Sequence, residues 1–167
     1  DGVLRESGIY AKGKRNSTFT EYYQDGVTPR KETPMQQGKI DGTVKTYFRN
    51  GKIEAEKEYK QSVESGRERR FDSKTGEQIF ESHYIDGKKD GEEWEIFEDA
   101  STLRSRIIRH YRNGKLDGSY RVESTRDGKP YITIEGQYTD GEKSGQWIEH
   151  NYDNNTQTCT WHGEGGA

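Results

Sequence analysis

The chain has 167 residues and a net charge of −3, with 26% hydrophobic and 34% charged residues and a mean hydropathy of −1.32. So few apolar residues exclude a conventional globular core, and the mildly acidic balance gives no reason to expect nucleic acid as a partner. Full disorder is not expected either, because 11 Tyr, 5 Phe and 3 Trp can each bury roughly 150–250 Å². A thin fold with an aromatic-rich interior fits this composition.

An aromatic residue followed three positions later by glycine recurs at steps of 24 to 27 residues. The copies, two of them degenerate, are Tyr10–Gly13, Met35–Gly38, Tyr59–Ser62, Tyr84–Gly87, Tyr111–Gly114 and Tyr138–Gly141. A second position, called the landmark below, keeps nearly the same step. The landmarks are Ser17, Gly42, Gly66, Gly91, Gly118 and Gly145. This periodicity predicts tandem repeats, at about residues 10–34, 35–58, 59–83, 84–110, 111–137 and 138–153.

Each repeat is predicted to be a β-hairpin, because turn dipeptides separate short runs rich in aromatic and β-branched residues. The dipeptides that accept the positive φ angles of a type I′ turn are Asp25-Gly26, Asn50-Gly51, Asp86-Gly87, Asn113-Gly114, Asp127-Gly128 and Asp140-Gly141. The residues two and five positions after the landmark would lie on opposite faces of a flat strand. A bulge or a curl of the sheet would bring them together, and the sequence leaves both open.

The fold class predicted from these features is all-β: an elongated antiparallel sheet or solenoid of about six tandem hairpins, in a single repeat domain over residues 1–167. Residues 154–167 are expected to form a C-terminal tail or cap. A lone hairpin is marginal in water, so aromatic rows between neighbouring hairpins must supply the interior. The aromatic residues expected to be mostly buried are Tyr47, Phe71, Tyr84, Tyr111 and Tyr138.

The least degraded unit reads Gly38-Lys39-Ile40-Asp41-Gly42, then Val44, Tyr47 and Phe48, then Asn50-Gly51-Lys52. This unit closely resembles the bacterial variant of the MORN repeat (membrane occupation and recognition nexus). The resemblance is best over residues 38–53, 87–97, 114–120 and 141–152, and it implies a repeat fold without catalytic residues. Bacterial members of that family are commonly labelled as antitoxins, some resemble immunity proteins, and eukaryotic relatives are linked to phospholipid headgroups and scaffolding. Ser62 and Glu68 depart from the family pattern in the third repeat.

Charge is unevenly distributed, which produces two candidate binding sites. Residues 81–100 contain eight acidic and two basic residues, and residues 101–130 contain eight basic and three acidic residues. The candidate protein-binding site combines the acidic segment (residues 90–99) with a further tryptophan: Asp90, Glu92, Glu93, Trp94, Glu95, Glu98, Asp99 and Trp147. The alternative site, for an anionic ligand, is the arginine block: Arg104, Arg106, Arg109, Arg112 and Arg121. The acidic flanks of this block would repel a phosphate backbone, so no nucleic-acid partner is predicted.

Catalytic and metal chemistry find little support in the residue pattern. Glu93 and Glu95 would share a strand face, as acid–base catalysis requires, but a solvated strand face explains them as well. Cys159 and His162 would place a thiolate near an imidazole, with His150 as a third metal ligand, whereas structural zinc takes four ligands. We therefore predict no enzymatic activity, no metal and no cofactor.

The predicted function is non-catalytic protein binding. The chain is expected to be an immunity or antitoxin protein that neutralises a toxin or secreted effector by steric and electrostatic occlusion. The alternative is an envelope-associated scaffold or a module that binds anionic membrane phospholipid. The chain begins at Asp1 rather than Met, which would fit removal of a leader and favours the bacterial periplasm or cell envelope over the cytoplasm.

Overall fold

The computed structural model describes residues 2–98, 104–126, 129–151 and 154–163. Every regular element in these ranges is a β-strand, and none is a helix. The strands are β1 Glu6–Ser7, β2 Tyr10–Ala11, β3 Lys14–Arg15, β4 Thr18–Tyr22, β5 Pro29–Gln36, β6 Lys39–Ile40, β7 Gly42–Tyr47, β8 Ile53–Lys60, β9 Val63–Phe71, β10 Gln78–Ile85, β11 Lys88–Lys89, β12 Gly91–Glu98, β13 Arg104–Arg112, β14 Lys115–Arg126, β15 Lys129–Thr139, β16 Glu142–Asn151 and β17 Thr156–His162. The predicted fold class, an all-β antiparallel sheet of tandem hairpins, is confirmed.

The strands group into two compact units, residues 1–88 and 89–167. In the first unit the strand order is β1-β4-β5-β7-β8-β9-β10, with β6 beside β5 and β2 paired with β3. In the second unit the order is β12-β13-β14-β15-β16-β17. Successive long strands are therefore antiparallel neighbours, as tandem hairpins require. The segment expected to be a tail or cap contributes β17, which pairs with β16 along all seven of its residues.

Three of the predicted turns have a type I′ backbone. The two φ angles are 48° and 77° at Asp86-Gly87, 50° and 86° at Asn113-Gly114, and 52° and 94° at Asp140-Gly141. Asn50-Gly51 also lies at a hairpin tip, but only the glycine has a positive φ, so the type I′ prediction was wrong there. The reason is loop length, because a hydrogen bond from Phe48 N–H to the Lys52 carbonyl (2.9 Å) closes a three-residue loop.

Asp25-Gly26 departs from type I′ geometry as well, since Gly26 alone of the two has a positive φ. The Asp25 carboxylate accepts hydrogen bonds from the backbone N–H groups of Val27 (2.9 Å) and Thr28 (2.8 Å). Hydrogen bonding from Thr28 and then Val27 lowers the pKa of Asp25 to about 2. This side-chain-stabilised turn replaces the predicted one. The remaining dipeptide, Asp127-Gly128, lies outside the described residues.

A β-bulge occurs at the landmark glycine. At Gly118, His110 of β13 lies opposite three residues of β14, 117–119. The same step in the pairing register occurs at Gly66 and Gly145. The five landmark glycines have φ angles between 64° and 119°, which side chains with a Cβ disfavour. A bulge is present, but it precedes both of the positions in question, and the regular pairing of β16 with β17 leaves Trp147 and His150 on opposite faces.

In each unit the interior is a row of side chains that crosses the strands, called the inner row below. Its members lie two residues after each landmark: Phe19, Val44, Glu68, Glu93, Tyr120 and Trp147. Two glycines with ordinary backbone angles allow the bulkiest members to approach the sheet closely. An added Cβ would lie 2.5 Å from the Phe19 ring at Gly8 and 2.3 Å from the Trp147 ring at Gly136. Burial is therefore concentrated on a few rings packed directly on backbone.

The aromatic residues expected to be mostly buried are only half-buried. These residues are Tyr47, Phe71, Tyr84, Tyr111 and Tyr138. The physical reason is that each ring packs against the adjacent strands of its own sheet, and in the described part of the chain no second layer packs over it.

The substitution Gly118→Ala should destabilise the protein more than Gly141→Ala. Both glycines have positive φ, which costs a residue with a Cβ about 1–2 kcal/mol. A Cβ at Gly118 would also lie 3.1 Å from the Cβ of His110, whereas no atom lies within 4 Å of a Cβ at Gly141. Urea unfolding of both variants measures the two losses. Equal losses would show that backbone conformation alone requires glycine at the landmark.

Candidate protein-binding surface

The inner row changes its chemistry along the chain. Glu68 in the first unit and Glu93 in the second occupy the position at which other repeats have an aromatic or aliphatic side chain. Glu68 is half-buried, and Glu93 is only 1% exposed. A buried carboxylate is tolerated only when opposite charge and hydrogen bonds compensate its desolvation, so the contacts of these two residues decide their role.

Glu68 is held by a lysine and a tyrosine of adjacent strands. Lys57 Nζ lies 3.0 Å from Glu68 Oε2 and 2.6 Å from Glu64 Oε1, and the Tyr84 hydroxyl donates a hydrogen bond to Glu68 at 3.0 Å. Burial acts to lower the pKa of Lys57, but hydrogen bonds to Glu64 and Glu68 raise it on balance. Burial and then the charge of Glu68 raise the pKa of Tyr84 to about 12. The carboxylate is therefore a structural anchor of the first unit.

Glu93 is the centre of a denser cluster in the second unit. It forms ion pairs with Lys89 and, at 3.7 Å, with Arg109, and it accepts a hydrogen bond from the Tyr111 hydroxyl at 3.3 Å. Arg109 also pairs with Glu95. Burial acts to lower the pKa of Arg109, but the carboxylates of Glu95 and Glu93 raise it on balance. The five residues, called the Glu93 cluster below, consist of the buried Glu93 and four half-buried side chains around it.

Most of the acidic segment and of the arginine block, predicted as alternative sites, lies on two paired strands, β12 and β13, whereas Arg121 lies on β14. β12 runs antiparallel to β13, with Glu93 opposite Arg109 and Glu98 opposite Arg104. Acidic and basic side chains therefore compensate one another across this strand pair. The described part of the pair presents neither a uniformly acidic face nor a uniformly basic one.

The residues predicted to contact a partner have different surroundings in the fold. Glu93 and Trp147 are buried, at 1% and 5% exposure, so neither contributes to a surface as predicted. Asp90 accepts a hydrogen bond from the backbone N–H of Asn113 at 3.0 Å, which fixes a turn. Glu92 and Glu98 are exposed. Trp94 and Glu95 are half-buried, and Asp99 lies outside the described residues.

Most members of the arginine block are engaged with neighbouring side chains. Arg112 lies 3.5 Å from Asp117, and Arg121 lies 2.8 Å from Glu123. The guanidinium of Arg106 lies 4.3 Å above the Trp94 ring. These contacts and those of Arg109 partly compensate the positive charge of the arginine block. The block would therefore attract an anionic ligand less strongly than its sequence indicates. The predicted anionic-ligand site stays a prediction.

An open groove of about 810 Å³ lies in the second unit. Its lining comes from β12 to β17 and includes Glu92, Ile108, Arg121, Glu135, Ile148 and Trp161. Ile108 pairs with Arg121, Arg121 with Glu135 and Glu135 with Ile148, so these four form one row across four strands. By strand alternation this row lies on the face opposite the inner row.

The groove combines apolar anchors with mixed charge. Trp161 is 60% exposed, and Ile108 is buried in the floor. Glu135 lies 3.0 Å from His150 Nε2, a partner that is charged only when protonated. Large apolar side chains next to polar groups that remain accessible are typical of protein interfaces.

His110 and Ser119, at the margin of the groove, resemble part of a nucleophilic triad. Ser119 Oγ lies 2.9 Å from His110 Nδ1, and Glu92 Oε2 lies 3.7 Å from His110 Nε2. However, the same Nδ1 also lies 3.3 Å from the Ser119 carbonyl, and a nitrogen that donates to this carbonyl cannot accept the serine proton. The Glu92 distance is too long for an orienting hydrogen bond. The geometry therefore does not support a nucleophile.

The side chains considered as metal ligands have separate surroundings. Cys159 is exposed, the His162 ring packs against Trp147 (6.2 Å between centroids), and His150 pairs with Glu135. In the described ranges, no group of three or more His, Cys, Asp or Glu side chains has a geometry that could hold a metal ion. The same ranges contain no helix long and apolar enough to cross a membrane.

Sequence reasoning missed Trp161, Glu135 and Ile148 as surface residues. Trp161 was assigned to a tail, although the alternating threonines of Thr156–Thr160 indicate a strand. Glu135 and Ile148 become neighbours only through the register between β15 and β16, which a single sequence does not reveal. A scan of protein-family models and a search of curated proteins found no match to this chain.

The substitution Glu93→Ala should lower the free energy of unfolding by about 2–3 kcal/mol, because the half-buried Lys89 and Arg109 would lose their shared carboxylate. Glu92→Ala, on the neighbouring exposed position of the same strand, should cost no more than about 1 kcal/mol. Urea unfolding of the two variants measures the difference. Similar small losses would show that Glu93 is solvated and free to bind.

The tyrosines that donate to carboxylates should make the protein sensitive to alkali. Burial and a nearby glutamate raise the pKa values of Tyr47 and Tyr84 to about 12, from about 10 in an unfolded chain. The stability that these groups add is fully present below pH 10 and is lost as the pH rises towards about 12.

The double variant Tyr47→Phe, Tyr84→Phe should therefore show a shallower fall in urea midpoint over that pH window. The control is Tyr10→Phe, because Tyr10 is 59% exposed. An unchanged pH dependence in the double variant would contradict the assignment.

Proposed function

We propose that this chain is a non-catalytic binding protein whose groove in the second unit accepts a segment of a protein partner, and that it neutralises a toxin or secreted effector by occlusion. The observation that carries the proposal is the groove itself. It joins an exposed tryptophan, isoleucine side chains and mixed charges on one sheet face. The resemblance to bacterial MORN-repeat antitoxins is consistent with this function and stays a prediction.

The lining favours a protein partner over a polyanion. Glu92 and Glu135 add negative charge to the groove, while the guanidinium of Arg121 is engaged by Glu123 at 2.8 Å. A phosphate-rich ligand would be repelled by these carboxylates, whereas a segment with a basic side chain beside an apolar one would be complementary to them. We therefore expect a partner segment that places an apolar anchor against Trp161 and a cation near Glu135.

The rigidity of the second unit supports occlusion as the mechanism. The groove row lies on four hydrogen-bonded strands, β13 to β16, and the Glu93 cluster ties β12 to β13 on the opposite face. A preorganised surface loses little conformational entropy when it covers a partner, so binding alone can block an active site. No bond-making step is required of this chain.

The test begins with the secreted effectors encoded beside the gene for this chain. Co-expression with each effector should restore growth only if the two proteins bind. With the effector that is neutralised, Trp161→Ala should weaken affinity roughly 30-fold, the effect of losing an aromatic anchor worth about 2 kcal/mol. Ile85→Ala in the first unit is the matched control, because Ile85 is 59% exposed and Trp161 60%.

The charge contribution is tested separately by Glu135→Gln, which keeps the shape of the groove. This variant should slow association at low salt and have little effect at high salt, since electrostatic steering is screened. Glu54→Gln, an exposed position on β8 of the first unit, should leave the rate unchanged. Unchanged affinity of both groove variants for the effector would show that the groove is not the binding site. Binding to anionic phospholipid vesicles without any effector would favour the scaffold or lipid-binding alternative.

A further inference from the structure

The last strand differs from the others in composition. β17 reads Thr156-Gln157-Thr158-Cys159-Thr160-Trp161-His162 and contains no Asp, Glu, Lys or Arg. Every other described strand of five or more residues contains at least one of these charged residues. Six of the seven residues of β17 are exposed. A strand this exposed and this uncharged calls for a physical explanation.

β17 lies at the end of the strand order of the second unit. Within the described residues, no strand pairs with its outer edge, so its outward N–H and C=O groups face away from the sheet. Natural sheets usually protect such edges with charges, proline or very short strands. The end strand of the first unit follows that rule, because β1 has two residues and one of them is Glu6. β17 has none of these protective features.

We propose that β17 pairs antiparallel with β17 of a second copy of this chain, about a twofold axis at Cys159. Cys159 is the middle residue of the strand, so this register places it opposite its own counterpart. Thr158 then faces Thr160 of the second copy, and Gln157 faces Trp161 of the second copy. This inference is independent of the proposed function.

The composition of β17 favours self-pairing over pairing with a different protein. In a twofold contact, a charged residue at the axis meets its own like-charged copy, which is unfavourable. An uncharged strand avoids this repulsion, whereas a strand that selects a different partner gains specificity from charge. Opposed threonines are favourable cross-strand pairs.

The first experiment tests the register through Cys159, which is exposed and is the sole cysteine of the chain. Directly opposed residues of antiparallel strands have Cα atoms about 4.5–5.5 Å apart, which is within disulfide range. Diamide should therefore convert two Cys159 thiols into one intermolecular disulfide, and the reagent takes up the two protons and two electrons. Under reducing conditions, sedimentation equilibrium should still show a non-covalent dimer.

The second experiment uses charge at the axis. Cys159→Lys and Cys159→Asp should each weaken dimerisation about tenfold or more, because each places two like charges opposite one another. An equimolar mixture of the two variants should form a heterodimer. Thr18→Lys is the control, since Thr18 is exposed on β4, a strand paired on both sides. Circular dichroism confirms that each variant is folded.

Two outcomes would overturn the proposal. The first is a chain that remains monomeric under reducing conditions at high concentration, which would show that β17 does not pair with a second copy. The second is a dimer that persists in both charge variants, which would place the contact elsewhere on the surface. Dimerisation is measured without any effector, so its failure is distinguishable from failure of the proposed function.

Discussion

The bulge at the landmark glycine is the constraint on which the other features of this fold depend. It inserts extra residues into one strand of a pair, and the side chain two positions beyond it belongs to the interior. Glycine is required there for two reasons. The backbone has a positive φ angle, and at Gly118 and Gly66 the opposing side chain leaves little room for a Cβ.

In a sheet with few apolar residues, charged side chains occupy some of the interior positions. Glu68 and Glu93 occupy positions where aliphatic or aromatic side chains would be expected, and lysine, arginine and tyrosine compensate them. Such clusters are weak sources of net stability, but they are costly to disrupt, because each partner is left desolvated when another is removed. In the second unit, the Glu93 cluster ties together β12 and β13, the first two strands of the groove.

The sequence was sufficient to predict the fold, but it predicted little of the candidate binding surface. Period, turn dipeptides and strand composition are local properties, so Asp86-Gly87 and the strand order followed from them. The chemistry of Glu93 depended on cross-strand register: the acidic run was interpreted as a solvated surface, and only pairing with β13 shows that it faces arginine. Trp161 was missed for a related reason, because the alternating threonines of β17 indicate a strand but not its pairing with β16.

The side chains of the inner row differ in chemistry along the chain, and these differences distinguish the correct neighbour of a strand from an incorrect one. In an array of near-identical hairpins, a strand displaced by one repeat would still find matching turns and hydrogen bonds, so backbone pairing alone does not distinguish the correct neighbour. Lys57 beside Glu68, and Arg109 beside Glu93, make such a displacement unfavourable, because it would place a desolvated ion against a ring or an aliphatic chain. These ion pairs therefore favour the correct pairing of strands during folding. Duplicating or deleting one internal repeat would place some of these charges beside strands that lack their partners, even though a repeat fold can contain any number of hairpins.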